Sequence, residues 1–118
     1  MPARKAAQKT RAEREHVVAL RAALTGWPDT SIQSKFGNAS FQTGTKVFAF
    51  TRPDGVAMKL PESRIRALHE ERKAEFLVMG KRTMREWMLL RLPETGKLSN
   101  EDLKLLREAK DFVAGLKS

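Results

Sequence analysis

The chain has 118 residues, 41% of them hydrophobic, which is enough for one core and too few for two, so a single domain is expected. Cysteine is absent, which excludes disulfides, thiolate nucleophiles and cysteine-ligated metals or clusters. Lys and Arg number 23 against 14 Asp and Glu, a net charge of +9 that points to polyanionic partners more than to acidic-site chemistry.

Residues 1–9 contain Arg4, Lys5 and Lys9, no acid and little that could be buried; a flexible basic arm is expected there, with the domain spanning 10–118. Thr10-Arg11-Ala12-Glu13 has the form of a capping box, in which hydroxyl and carboxylate satisfy the N–H groups that a helix start leaves unpaired. Val17, Leu20 and Leu24 then recur at helical spacing, with Val18 beside them. Gly26 and Pro28 end the pattern, and Trp27 extends the apolar stripe into the loop.

Phe36 to Thr43 reads as a short strand. Gly44-Thr45 is a Gly-X pair suited to a tight type II′ hairpin, so the next strand follows directly. The run GTKVFAFTRPDGVAMKLP is the clearest architectural signal in the chain. Arg52-Pro53-Asp54-Gly55 supplies turn residues, with Gly55 expected in the left-handed region, and apolar residues alternate on both sides. Alternation puts Phe48, Phe50, Val56, Met58 and Leu60 on one face, and Val47, Ala49, Thr51, Ala57 and Lys59 on the other.

Pro61-Glu62-Ser63 opens a second helix through about Arg72, burying Ile65 and Leu68. Phe76 to Met79 reads as a fourth strand. After a polar loop, Gly80 to Thr83, a fifth runs from Glu86 to Leu92 and splits into a Met88, Leu90, Leu92 face and a Trp87, Leu89, Arg91 face. Ser99 with Asp102 resembles a capping box built on Asp. Leu103, Leu106, Ala109, Phe112 or Val113, and Leu116 follow on a last helix. The expected fold is α+β: an antiparallel sheet of about five strands, helices on one face, order α-β-β-β-α-β-β-α.

The excess charge is unevenly placed. Residues 1–25 have six basic and two acidic side chains, and Lys59 to Arg91 have nine and five, whereas from Pro93 onward five meet five. A sheet covered on one face leaves the other open, and there Trp87 falls beside Lys59 and Arg91, with Lys46 and Arg52 at the hairpin ends. Cations around an aromatic ring suit single-stranded nucleic acid. One alternative is that the same face, through Val47, Ala49, Trp87 and Leu89, buries against a partner or a second copy, and another is a small-ligand pocket between sheet and helices.

Catalytic and metal motifs fail on inspection. Gly80-Lys81 lacks the earlier glycine of a phosphate loop, and Arg82 stands where Ser or Thr is required. His69 precedes Glu70 and Glu71, but Lys73 occupies the second histidine position of a zinc-protease helix. His16 and His69 are expected at the surface, and Glu62, Glu70, Glu71 and Glu75 alternate with Arg64, Arg66, Arg72 and Lys73 as a salt-bridged helix face. No enzyme, cofactor or metal is expected. Without an apolar leader or a run of about 18 apolar residues, a cytoplasmic protein is expected, not a membrane one.

The run GTKVFAFTRPDGVAMKLP, the helix opening PESRIRAL, the strand EWMLLRLP and the ending LSNEDLKLLREAKDFVAGL together resemble the MmcQ/YjbR family of small bacterial proteins. The likeness spans nearly everything from His16 to Leu116. It implies a CyaY-like fold, a twisted antiparallel sheet with helices against one face, and a double-wing DNA-binding role. The loop GKRTMRE departs from the family's aromatic, glycine-rich pattern toward anion binding, and the basic arm is an addition. The frataxin group shares that fold and holds iron on acidic residues of its first helix; here Glu13 and Glu15 are outnumbered by Arg11, Arg14 and Arg21, which disfavours a hard cation. The expected partner is therefore nucleic acid, DNA by resemblance, with the protein a monomer or weak homodimer. Contacts are assigned to Arg4, Lys5, Lys9, Arg11, Lys46, Arg52, Lys59, Lys81, Arg82, Arg85 and Arg91, with Trp87 available for stacking.

Overall fold

The structure, a computed structural model, describes residues 11–35, 38–93 and 95–116. Helix α1 (Arg11–Leu24) leads into β1 (Thr30–Lys35), β2 (Asn38–Thr43), β3 (Lys46–Arg52) and β4 (Gly55–Lys59). Helix α2 (Glu62–Glu70), strands β5 (Glu75–Met79) and β6 (Arg82–Arg91), and helix α3 (Asn100–Ala114) follow. The strands form one open antiparallel sheet in the order β1-β2-β3-β4-β6-β5, with the helices packed on one face. The class is α+β as expected, with one strand more than the sequence suggested.

The additional strand is β1. Its sequence, TSIQSK, has a single large apolar residue, so no alternation marks it; pairing with β2 from Thr30↔Thr43 to Lys35↔Asn38 makes it a strand. The expected strand start at Phe36 and Gly37, the cap at Thr10 and the arm at 1–9 lie outside the described residues.

Leu20 and Leu24 of α1, Ile65 and Leu68 of α2, and Leu105, Leu106, Ala109 and Val113 of α3 close over Phe48, Val56, Met58, Leu60, Met88 and Leu90. α3 starts as its sequence predicts: the Ser99 hydroxyl accepts from the Asp102 N–H and the Asp102 carboxylate accepts from the Ser99 N–H, each at 3.0 Å. Leu116, expected on its buried stripe, lies past the helix end and is 37% exposed. α2 stops at Glu70, short of Arg72. Arg72 adopts a left-handed φ of 61°, its N–H bonding the His69 carbonyl while Lys73 N–H bonds that of Leu68. This is a Schellman closure, usually marked by glycine; arginine at that position gives no sequence signal.

His16 is not at the surface. It is 1% exposed and extends the α1 stripe by one turn to His16, Leu20, Leu24, whereas Val18 is 63% exposed. Its Nε2 lies 3.0 Å from the Pro93 carbonyl and its Nδ1 3.4 Å from the Arg52 carbonyl. Those carbonyls belong to the end of β3 and the exit from β6, and the ring meets both. Both partners are carbonyl oxygens, which accept, and the shorter contact is the one best placed for an N–H of the ring to donate, to Pro93. His16→Ala is expected to destabilise the fold by about 2–3 kcal/mol, the sum of a lost buried donor and a cavity. His16→Gln, which retains a donor, should lose less; urea unfolding midpoints of the two variants make the comparison.

Two irregularities shape the face away from the helices. Phe41 pairs with Ala49 but Gln42 with Val47, so Phe48 is an extra residue, a bulge in β3. The bulge resets the alternation. Phe48 and Ala49 both turn to the helix side with Thr51, and Phe50 goes to the opposite face with its partner Ala57. The expected pairing of Phe48 with Phe50, and the expected placement of Ala49 and Thr51 on the open face, are thereby overturned. In the last hairpin, Phe76 pairs with Met88 but Leu77 with Met84, leaving residues 85–87 of β6 without a β5 partner. β6 also begins earlier than expected, at Arg82, and the predicted loop shrinks to Gly80-Lys81, with Gly80 at a φ of +63°.

Candidate functional site

The bulged β5–β6 hairpin builds a second, smaller core on the face opposite the helices. Ala57, Leu77 and Leu89 are buried there, with Phe50, Met84 and Trp87 packed around them. Met79 on β5 brings its Sδ to 3.5 Å from Arg52 Nη1, although β4 and β6 separate their strands in the sheet. The hairpin therefore leans across this face, and Arg52 Nε, buried beneath it, has no hydrogen-bond partner among the described residues.

Trp87 sits on this face, as its register predicts: it lies opposite Lys59. The indole is half-buried. Its ring centroid is 5.2 Å from that of Phe50 at an interplanar angle of 54°, and Lys59 Nζ stands over it at 5.8 Å. Aromatic packing and a cation above the ring hold both side chains in place. Phe50 and Met84 were not foreseen as neighbours of Trp87, because the bulges that bring them there leave no local signature.

The basic residues divide into those committed within the fold and those that are not. Lys46 donates to the Leu116 carbonyl at 2.8 Å, just past the C-terminal end of α3, where a cation complements the negative end of the helix dipole. Arg91 grips the Glu75 carboxylate through Nε and, at 3.3 Å, through Nη2, and reaches Asp54 at 3.2 Å. The Glu75 carboxyl is accordingly held below the ordinary glutamate range, chiefly by that hydrogen bond from Arg91. Arg52 is turned onto Met79. Arg66 pairs with Glu62 and Lys73 with Glu71, within the set foreseen from the sequence, whereas Arg64 pairs with Glu108 and Lys73 also with Glu101, both on α3.

Lys81, Arg82 and Arg85 are exposed and, like Lys59, form no ion pair among the described residues. They cluster about the last hairpin. A hollow of about 620 Å³ opens there, lined by Arg82, Arg85 and Trp87 with Thr83, Met84, Glu86 and Glu62. Arg82 and Arg85 thus border one concavity, Trp87 contributes to its wall, and Lys81 occupies the adjoining turn. Arg11 opens α1, and Arg4, Lys5 and Lys9 lie outside the described residues.

A second hollow of about 390 Å³, between α2, α3 and β6, combines Leu68, Leu90 and Leu105 with charged side chains, among them the mutually paired Arg64 and Glu108, and Lys73 and Glu101. Among the described residues, no three His, Asp or Glu side chains come together as metal ligands, and no helix is long and apolar enough to cross a membrane. No family model matches the chain, nor does any curated protein or solved structure.

Proposed function

We propose that this chain is a non-enzymatic nucleic-acid-binding module of the MmcQ/YjbR type, with a CyaY-like fold, that contacts phosphates with little sequence selectivity. DNA is the partner that the resemblance favours, and a cytoplasmic protein goes with the reading. The observation supporting it is the clustering of Lys81, Arg82 and Arg85 on the last hairpin, with Lys59 beside it on β4, none ion-paired among the described residues, while Arg64, Arg66, Lys73 and Arg91 are paired within the fold. Cations left unpaired at one place are available to release counterions from a polyanion.

The role of Trp87 differs from a free stacking platform. With Phe50 against the ring and Lys59 above it, the indole's first contribution is to hold the ammonium at the edge of the hollow; a base stacks only after Lys59 swings aside. Lys46, Arg52 and Arg91 drop from the contact set, since Lys46 and Arg91 are bonded within the fold and Arg52 has its Nε buried and its Nη1 turned onto Met79. Four phosphate contacts imply a log-log salt slope of about −3.6 on duplex DNA. Fluorescence anisotropy of a labelled oligonucleotide, titrated between low and physiological salt, measures it. A failure to bind at low salt, or binding indifferent to salt, would exclude the proposal.

A further inference from the structure

We infer that β5 is a pairing edge for a second copy of this chain. The sheet has two edges, β1 and β5. β1 is polar, TSIQSK, and ends in Lys35, the kind of edge that resists pairing. β5 has the opposite character. Its sequence, EFLVM, contains neither Lys nor Pro, and it leaves Val78 51% and Met79 43% exposed beside a row of backbone groups with no strand on that side among the described residues. The outward N–H and C=O groups of an edge are met in full by another strand, which fixes the kind of occupant.

Self-complementarity selects a second copy as that strand. In antiparallel pairing centred on Val78, that residue faces its own counterpart, Leu77 lies opposite Met79 of the partner subunit, and Glu75 lies opposite Lys81 of the partner subunit. The ends are then oppositely charged and the middle is apolar. Centring one residue earlier, on Leu77, sets Glu75 opposite Met79 of the partner subunit and forfeits that opposite-charge pair. Charge thus chooses between the two registers.

Because each copy has a net charge of +9, added salt screens their mutual repulsion and strengthens the dimer. Binding to a polyanion responds in the reverse sense, which separates the two activities. A strand of five residues buries little area, so the association is weak, of the class that forms between about 10 μM and 1 mM.

Sedimentation velocity across that range, at low and high salt, is the test. The expected result is a mass that rises from one chain to two with concentration, and sooner at high salt. Val78→Lys, at an exposed site, should raise the dissociation constant roughly tenfold or more by planting a gatekeeper charge on the edge. Lys81→Glu should weaken it as well, by facing Glu75 of the partner subunit with a like charge. Val18→Lys, at an exposed site on α1, should leave it unchanged. A single-chain mass at every concentration and salt, a dimer insensitive to Val78→Lys, or one abolished by Val18→Lys instead would each overturn the inference.

Discussion

Replacing Gly55 by alanine is expected to lower the unfolding free energy by about 4 kcal/mol, a loss far above the usual effect of one methyl group. Conformational freedom is not the reason. Gly55 is not among the glycines at positive φ, contrary to what the Pro-Asp-Gly turn suggests; Pro53 and Asp54 form the two-residue loop and Gly55 is already the first residue of β4. Its constraint comes from β6: a Cβ there would sit 2.0 Å from the Leu90 carbonyl oxygen and 2.9 Å from the Arg91 Cα, both backbone atoms. Backbone cannot rotate away as a side chain can. Relief would require β4 to move off β6, breaking the Gly55↔Arg91 pairing and loosening Val56 and Met58 in the core.

Gly80→Ala provides the contrast. Gly80 has a φ of +63° and nothing within 4 Å of a Cβ, so alanine there meets only the left-handed penalty of about 1 kcal/mol. Urea unfolding of both variants separates close approach from backbone conformation. Equal losses would refute the steric account.

The double variant Arg82→Ala, Arg85→Ala is expected to weaken DNA binding about 60-fold at 0.1 M salt and to flatten the log-log salt slope by about 1.8. The figure follows from counterion release: each lost contact removes a factor of about 0.1 raised to −0.9, or eightfold. Both side chains are exposed and unpaired among the described residues, so stability should not change. Lys104→Ala, Lys110→Ala on α3 removes the same charge from another element and should alter affinity by less than about threefold. Comparable losses in the two double variants would mean that binding follows net charge, and the hairpin would no longer be its site.

Local chemistry made much of the fold legible. The Ser99 cap, the breaks at Gly26 and Pro28, and the hairpins at Gly44-Thr45 and Pro53-Asp54 are encoded within a few residues, and the structure has each where the residues predict it. β1 was invisible because a polar edge strand buries almost nothing and draws its stability from its neighbour. The end of α2 was blurred because arginine occupies the position where glycine would announce a Schellman closure.

The site was only half legible, for a different reason. Lys59 and Trp87 follow from strand alternation, which both bulges leave intact between β4 and β6. Phe50 does not, since one inserted residue at Phe48 reverses the face of everything after it in β3. Composition likewise counts every cation equally, although Arg91 is spent on Glu75 and Asp54 and Arg82 is not.

The sequence by itself determined the class of fold, the Ser99 helix cap, the positions of the turns, most strand identities and the surplus of positive charge, because each depends on residues close together in the chain. Tertiary structure decided which charges remain unpaired, which side of the sheet Phe50 occupies and that His16 is buried. Those outcomes depend on neighbours distant in sequence: His16 on carbonyls at Arg52 and Pro93, Arg91 on Glu75, and Phe50 on Trp87. No local pattern can encode a partner that only folding brings within a few ångströms.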